Sequence, residues 1–163
     1  MSNNAHQRGW QSAELERLLG SKWHVQPGAE WRAENIALTM VDTQKNNGKC
    51  LFIAIDEKTW HAGSGNTGIY AGWKDTHEVL KNNYHHFCGA IVQHYLAELP
   101  DWFPQMVVEN TYDVLPVLAD EARRRMNGTI IAITGTVGKS STKDLLHMLL
   151  AEEGATIATQ GNH

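Results

Sequence analysis

A short glycine-containing stretch near the end of the chain has the residue types of a phosphate-binding loop. Residues 134–141 read Thr-Gly-Thr-Val-Gly-Lys-Ser-Ser, between an apolar run and a helical pattern. Gly135 and Gly138 let the backbone turn so that successive N–H groups face an anion, and the helix start adds partial positive charge. Lys139 can then reach the phosphates of a nucleotide, and the Ser140 hydroxyl can bind Mg²⁺.

This loop departs from the standard GxxxxGK[ST] pattern, because Ile133 stands where that pattern has its first glycine. A chance Gly-Lys-Ser in a tight turn is the alternative explanation. A predicted strand precedes the loop and a predicted helix follows it, which is the context that the motif requires. We therefore predict that Lys139 is catalytic and that Ser140 binds the metal ion. The residues predicted to bind the nucleotide are Gly135, Thr136, Val137, Gly138, Lys139, Ser140 and Ser141.

A second glycine pattern, GxGxxG at residues 63–68, is a weaker signal. A dinucleotide fingerprint needs a strand directly before it and a helix directly after it. Here seven residues separate it from the preceding predicted strand, and no convincing helix follows. We interpret this segment as a surface loop, with a mobile loop beside a ligand as the alternative.

Histidine and cysteine do not form a metal-binding pattern. His85 and His86 are adjacent, so they point in different directions on a helix, and His77 lies eight residues before His85. Cys50 and Cys88 have no CxxC spacing and occupy apolar positions, which predicts core residues.

The elements that must position the loop alternate between strands and helices, which predicts an α/β fold with a largely parallel sheet. Residues 56–75 contain four glycines and three aromatic residues and are predicted to form a long loop. The predicted strands are residues 36–41, 50–55, 90–92, 106–108, 129–134 and 155–159. The predicted helices are residues 12–19, 76–87, 111 or 113 to 126, and 139–153.

Composition sets outer limits on function. The chain has 163 residues, of which 42% are hydrophobic and 20% charged, so it can bury a core and is not a disordered tail. No apolar run is long enough for a membrane helix, and the first residues lack a secretory signal. The net charge of −4 argues against general nucleic-acid binding. We expect a cytoplasmic protein with no nucleic-acid partner and no membrane insertion.

Several segments resemble the Mur ligases, which form amide bonds in cell-wall precursors. Residues 134–143, Thr-Gly-Thr-Val-Gly-Lys-Ser-Ser-Thr-Lys, resemble their ATP-binding signature, and residues 159–163 are similar to their Thr-x-Gly-Asn-x-Asn segment. The upstream segments that resemble, in order, the D-alanyl-D-alanine-adding branch of the family are residues 48–55, 75–77, 89–92 and 107–111. The resemblance runs from about residue 36 to the end of the chain.

The resemblance implies an ATP-dependent carboxylate–amine ligase of peptidoglycan biosynthesis. ATP would phosphorylate a carboxylate, and an amine or dipeptide would attack the acyl phosphate, with ATP and Mg²⁺ as cofactors. The carboxylate would be a small molecule such as a UDP-linked muramoyl peptide. Two alternatives stay open, namely another P-loop kinase or NTPase and a recognition domain without turnover.

The same resemblance implies a division of the chain. Residues 1–127 would form the N-terminal substrate-binding domain, and residues 128–163 would begin a central ATP-binding domain. One β-α-β unit cannot bury both faces of a parallel sheet, so we expect the missing part of that domain elsewhere in the protein and no activity from this fragment alone. The alternative is that this last unit completes the first sheet.

One departure from the family pattern concerns the substrate. Mur ligases often carry Asp-Ser-Arg after an early strand, linked to binding the UDP-sugar, whereas this chain reads Asp-Thr-Gln at residues 42–44. The arginine's bidentate contact to an anion is therefore lost, and residues 56–75 are longer than expected, so a related carboxylate is a further option. The residues that the resemblance assigns to the substrate are Thr43, Gln44, His77 and Asn162.

Overall fold

The computed structural model describes residues 9–40, 48–65 and 72–159. The chain divides into two compact units, Met1–Met126 and Asn127–His163, called here the first and the second unit. The fold is α/β, as predicted. Within the described ranges no helix is both long and apolar enough to cross a membrane.

The first unit contains the sheet. Its elements, in chain order, are β1 (Trp10–Gln11), α1 (Ser12–Leu19), β2 (Trp23–Val25), β3 (Arg32–Ala33), β4 (Asn35–Ala37), β5 (Cys50–Ile53), α2 (Glu57–Ser64), α3 (His77–Asn83), a 3-10 turn (Tyr84–His86), β6 (Gly89–Val92), β7 (Gln105–Val107) and α4 (Val114–Arg125). Five strands form one sheet in the order β2-β7-β6-β5-β4. Strands β4 to β7 are parallel, and β2 pairs antiparallel with β7.

The core lies on both faces of this sheet. All four residues of β5 and all four of β6 are buried, which confirms the prediction from the apolar run at residues 50–55. Alternate side chains enter opposite apolar clusters: Leu51 and Ile53 belong to a cluster with four buried tryptophans, whereas Phe52 belongs to one with Leu80 and Phe103. A strand covered on both faces is what a parallel sheet between helices requires.

Helix α2 is a correction to the sequence prediction, which made residues 56–75 a loop. The helix begins after Asp56, whose side chain accepts a hydrogen bond from the backbone N–H of Thr59, and ends at Gly65, where φ is +68°. This short helix contains one glycine, Gly63, and a single buried residue, Trp60, so its sequence shows no helical periodicity. Its stability comes from the cap and from packing against distant residues.

The second unit contains one described helix, α5 (Lys139–Ala151), which confirms the prediction for that segment. The predicted strands at residues 129–134 and 155–159 are wrong, since neither segment joins a strand ladder among the described residues. A strand exists only when a neighbour pairs with its backbone, and an apolar run alone cannot supply that neighbour. The side chain of Ile157 is 97% exposed, and Ile130 and Ile131 are exposed as well.

Candidate functional site

Polar side chains gather in the first unit where the central strands end. Asp56 follows β5 and Gln93 follows β6 directly, so both lie at the carboxyl edge of the parallel sheet. Open α/β sheets bind ligands at this edge, because the loops that leave neighbouring strands converge there. Neither residue was singled out from the sequence, although Asp56 followed by Thr59 is a recognisable helix-capping pattern.

Asp56, Thr59 and Gln93 form a closed set of hydrogen bonds, called here the edge cluster. The backbone N–H of Asp56 donates to Oε1 of Gln93 at 3.1 Å, and Nε2 of Gln93 donates to the Thr59 hydroxyl at 2.7 Å. That hydroxyl donates to Oδ2 of Asp56 at 2.9 Å. The first turn of α2 is thereby joined to the end of β6.

The carboxyl group of Asp56 titrates below its ordinary range. Burial alone would raise its pKa, but the hydrogen bonds from Thr59 and Gln93, together with nearby His77, outweigh that effect and lower the pKa. The cluster therefore holds a carboxylate in its charged form at neutral pH.

His77, a predicted substrate-binding residue, is 2% exposed at the start of α3. Its Nδ1 lies 2.6 Å from Oδ1 of Asp75, and its Nε2 accepts the backbone N–H of Gln93 at 3.4 Å. Because a backbone N–H can only donate, this arrangement favours the tautomer with hydrogen on Nδ1, directed at Asp75. His77 also stacks on His94 at 4.8 Å, so the ring joins α3 to the end of β6.

The phosphate loop lies in the second unit. Gly135 has φ of +149° and Gly138 has φ of +82°, backbone conformations that favour glycine. Helix α5 begins at Lys139, and the N–H of Thr142 donates to the Gly138 carbonyl at 2.9 Å. The ammonium of Lys139 donates to the carbonyl of Gly135, so this exposed side chain folds back over the loop.

These residues fit a polyphosphate. The N–H groups in the first turn of a helix point outward from its N-terminus, and α5 starts at Lys139. None of residues 135–141 is acidic, and the loop adds one ammonium group. Backbone N–H donors, a helix N-terminus and a lysine are the set that holds phosphate groups in nucleotide-binding proteins. Ser140 is half-buried directly after the lysine, where a hydroxyl could bind Mg²⁺.

Two side chains of α5 hold the segment after it. Nζ of Lys143 donates to the Thr159 carbonyl at 2.7 Å, and Nε2 of His147 lies 3.3 Å from the Thr156 carbonyl. Residues four apart share one face of a helix, so both contacts come from the same side of α5. Thr43, Gln44 and Asn162, the other predicted substrate residues, lie outside the described residues.

The cysteines occupy the sites predicted for core residues. Cys50 is buried, and burial raises the pKa of the Cys88 thiol to about 12, so it stays protonated and unreactive at neutral pH. In the part of the chain that the structure describes, no group of three or more histidine, cysteine or acidic residues could hold a metal ion.

Curated proteins resemble this chain in sequence, and solved structures resemble it in fold. No family model matches the chain. The UDP-N-acetylmuramoyl-tripeptide–D-alanyl-D-alanine ligase of Buchnera aphidicola subsp. Baizongia pistaciae is 31% identical over 121 residues, covering 74% of this chain and 23% of that protein. The Escherichia coli K12 ligase of the same name is 26% identical over 135 residues, 82% of this chain and 26% of that protein. The chain belongs to the Mur ligase family.

The solved structures agree on the fold. A crystal structure of MurF from Acinetobacter baumannii superposes with a TM-score of 0.68 at 22% identity, covering 95% of this chain and 30% of that one. The chain thus spans about a quarter of the length of the curated Mur ligases that it matches. The family and the fold are established by these matches.

Proposed function

We propose that this chain is the N-terminal part of an ATP-dependent ligase that joins a carboxylate to an amine. The observation that carries the proposal is the phosphate loop, in which Gly135 and Gly138 turn the backbone directly before the N-terminus of α5. The names of the matched relatives, which are amide-forming ligases, support the same reaction class.

The loop would hold the triphosphate. The residues proposed to bind it are Gly135, Thr136, Val137, Gly138, Lys139, Ser140 and Ser141, with Ser140 as the Mg²⁺ ligand. When bound, ATP supplies the phosphoryl group that activates the carboxylate as an acyl phosphate. Lys139 would leave the Gly135 carbonyl and pair with the phosphates, so the charge that develops on the transferred group meets a fixed cation.

The first unit would recognise the carboxylate substrate. Its carboxyl edge is where an open parallel sheet binds ligands. In the sequence, the proposed substrate residues Thr43 and Gln44 come after β4. Asn162 follows the segment that α5 holds. The relatives' names give a UDP-linked muramoyl tripeptide and D-alanyl-D-alanine, so we propose a small-molecule carboxylate and an amine or dipeptide, in a cytoplasmic pathway of cell-wall precursors.

His77 enters this proposal through the groups that it holds. Both ring nitrogens have partners, Asp75 and Gln93, so the ring can orient the carboxyl edge beneath a substrate. We assign it as a positioning residue for the substrate site.

The test uses the complete protein, with candidate carboxylates and amines added singly and together. We expect ADP release and amide formation only when both are present, since the amine consumes the activated carboxylate. ADP release that needs no amine and yields no amide would instead identify a kinase or NTPase. The 163-residue chain alone should bind Mg-ATP but form no amide, because it covers only about a quarter of the relatives' length. Amide formation by this chain alone would contradict that assignment.

A further inference from the structure

The covered face of α5 is mostly polar. Its half-buried residues follow one another at spacings of three, three and one, which places them on one side of the helix. These residues are Ser140, Lys143, Leu146 and His147. The large apolar side chains of Leu145, Met148 and Leu149 are instead more than half exposed. A helix that packs only for stability buries its apolar stripe, so this arrangement indicates that the polar side chains have a role of their own.

The segment after α5 runs back along this face toward the phosphate loop. Nε2 of His147 lies 3.3 Å from the Thr156 carbonyl, and Nζ of Lys143, one turn nearer the start of the helix, donates to the Thr159 carbonyl at 2.7 Å. The contacts therefore move toward the helix N-terminus as the chain proceeds from residue 156 to residue 159. One further turn, about 6 Å along the helix axis, leads from Lys143 to Lys139.

The ammonium of Lys143 is held by the chain itself. The side chain is 22% exposed, and besides the Thr159 carbonyl its Nζ has Oδ1 of Asp144 at 3.4 Å. Fixing so long a side chain costs conformational entropy, which these contacts must offset. Lys143 also lies in the second turn of α5, beyond the first-turn N–H groups that would hold phosphate. Direct contact with the nucleotide is therefore left to Lys139.

We propose that Lys143 is a positioning residue of the nucleotide site, which it serves by fixing Thr159 beside the phosphate loop. In α/β folds a ligand lies near the helix N-terminus, at the carboxyl ends of the segments that precede and follow the helix. Gly135 follows the first of these segments, and Thr159 ends the second. The inference rests on the proposed ligase function and adds a residue to its machinery.

The test compares kcat for amide formation with the affinity for Mg-ATP in the complete protein. Lys143→Met keeps the stem of the side chain and removes its ammonium. We expect kcat to fall at least about fivefold, because small misplacements around the reacting atoms are costly. The calorimetric Kd for Mg-ATP should change less than about threefold, since the phosphates meet Lys139 and contiguous backbone N–H groups. A smaller fall in kcat, or a larger change in Kd, would overturn the proposal.

Three further variants separate positioning from general stability. Lys143→Arg restores a cationic donor and should turn over at least about threefold faster than Lys143→Met; a smaller recovery would show that the hydrogen bond to Thr159 is not what matters. Lys58→Met, at an exposed lysine of α2, is the matched control and should turn over normally. If Lys143→Met fails to fold, judged by circular dichroism, Lys143→Ala decides by the same limits, because alanine is the best helix former.

NMR order parameters of the 163-residue chain test the contact without any activity. The N–H groups of residues 156–159 should have values above about 0.6 in the wild type and below that value in Lys143→Met. Lower values in the wild type, or unchanged values in the variant, would overturn the proposal. A complete wild-type protein that forms no amide would refute the ligase function instead, and the order parameters would then decide whether Lys143 holds this segment.

Discussion

Large apolar side chains are buried in the core of the first unit and exposed on the helix of the second. In the first unit, Phe52 is fully buried and touches the ring of Phe87 at a centroid distance of 4.5 Å. In the second, Leu149 of α5 is 60% exposed, and Leu145 and Met148 on the same helix are exposed too. Both units come from sequences of similar apolar character, so burial here reflects how many elements surround each one.

The difference shows what a parallel sheet needs. The first unit stacks helices against both faces of five paired strands, and each central strand has a neighbour on either side. The second has one helix and two apolar segments that join no ladder among the described residues. Its phosphate loop is nevertheless formed, because that loop depends on contiguous residues and on the start of one helix.

Amide hydrogen exchange gives the largest expected contrast between the units. The N–H groups of β5 lie between β4 and β6, so they should exchange only when the first unit unfolds, which costs about 5 kcal/mol or more for a stable domain. Residues 130–134 join no such ladder and should exchange close to the rate of an open chain. Equal protection of residues 51–53 and 130–134 in a dilute sample of the 163-residue chain would break the comparison.

One substitution in the core and one at an exposed position test burial directly. Phe52→Ala should lower the free energy of unfolding by about 3–5 kcal/mol, because it empties a packed core site. Leu149→Ala, at an exposed helix position, should change it by less than about 0.5 kcal/mol. Urea unfolding followed by circular dichroism measures both. Similar losses in the two variants would show that the second unit has a core of its own.

Substitution of Lys139 in the phosphate loop should reduce activity without reducing stability. In the complete protein, Lys139→Ala should reduce ATP-dependent turnover about 100- to 1,000-fold, since a positioned cation that meets developing charge is worth that much. Its exposed side chain makes one described hydrogen bond, to the carbonyl of Gly135, so the melting temperature should hardly change. Lys58→Ala, at an exposed lysine of α2, is the control and should turn over normally. Normal turnover by the Lys139 variant would refute its assigned role.

The features that could be predicted from the sequence are those that contiguous residues determine. The phosphate loop, α5 and the buried strand β5 are each encoded in contiguous residues, so pattern and periodicity identified them. The segment at residues 129–134 has an equally strong strand pattern and forms no strand here, because pairing is a property of two segments.

The edge cluster could not be predicted in this way. Asp56 and Gln93 are 37 residues apart in the chain and meet only because β5 and β6 are neighbours in the sheet. His77 was singled out through family resemblance alone, and the partners that fix its ring, Asp75 and Gln93, became visible only in the folded structure. Helix α2 was missed for the same reason, since its contacts to Trp73 and Tyr112 are tertiary.

The smallest expected effect concerns the edge cluster and separates its charge from its hydrogen bonds. Asp56→Ala removes the cap of α2 and should cost about 0.5–2 kcal/mol of stability at pH 7. Asp56→Asn keeps an oxygen that can accept from Thr59 but cannot ionise. Because the pKa of Asp56 is lowered in the folded protein, its charge stabilises the fold above the unfolded-state pKa, and this contribution is lost as the pH falls through the folded-state pKa. Melting temperatures of the wild type and Asp56→Asn should therefore converge as the pH is lowered from about 5, above the ordinary aspartate pKa, to about 3, below it. Parallel curves over that range would mean that the carboxylate charge adds nothing to the cluster, and that α2 is held at the sheet edge by its neutral hydrogen bonds and aromatic packing.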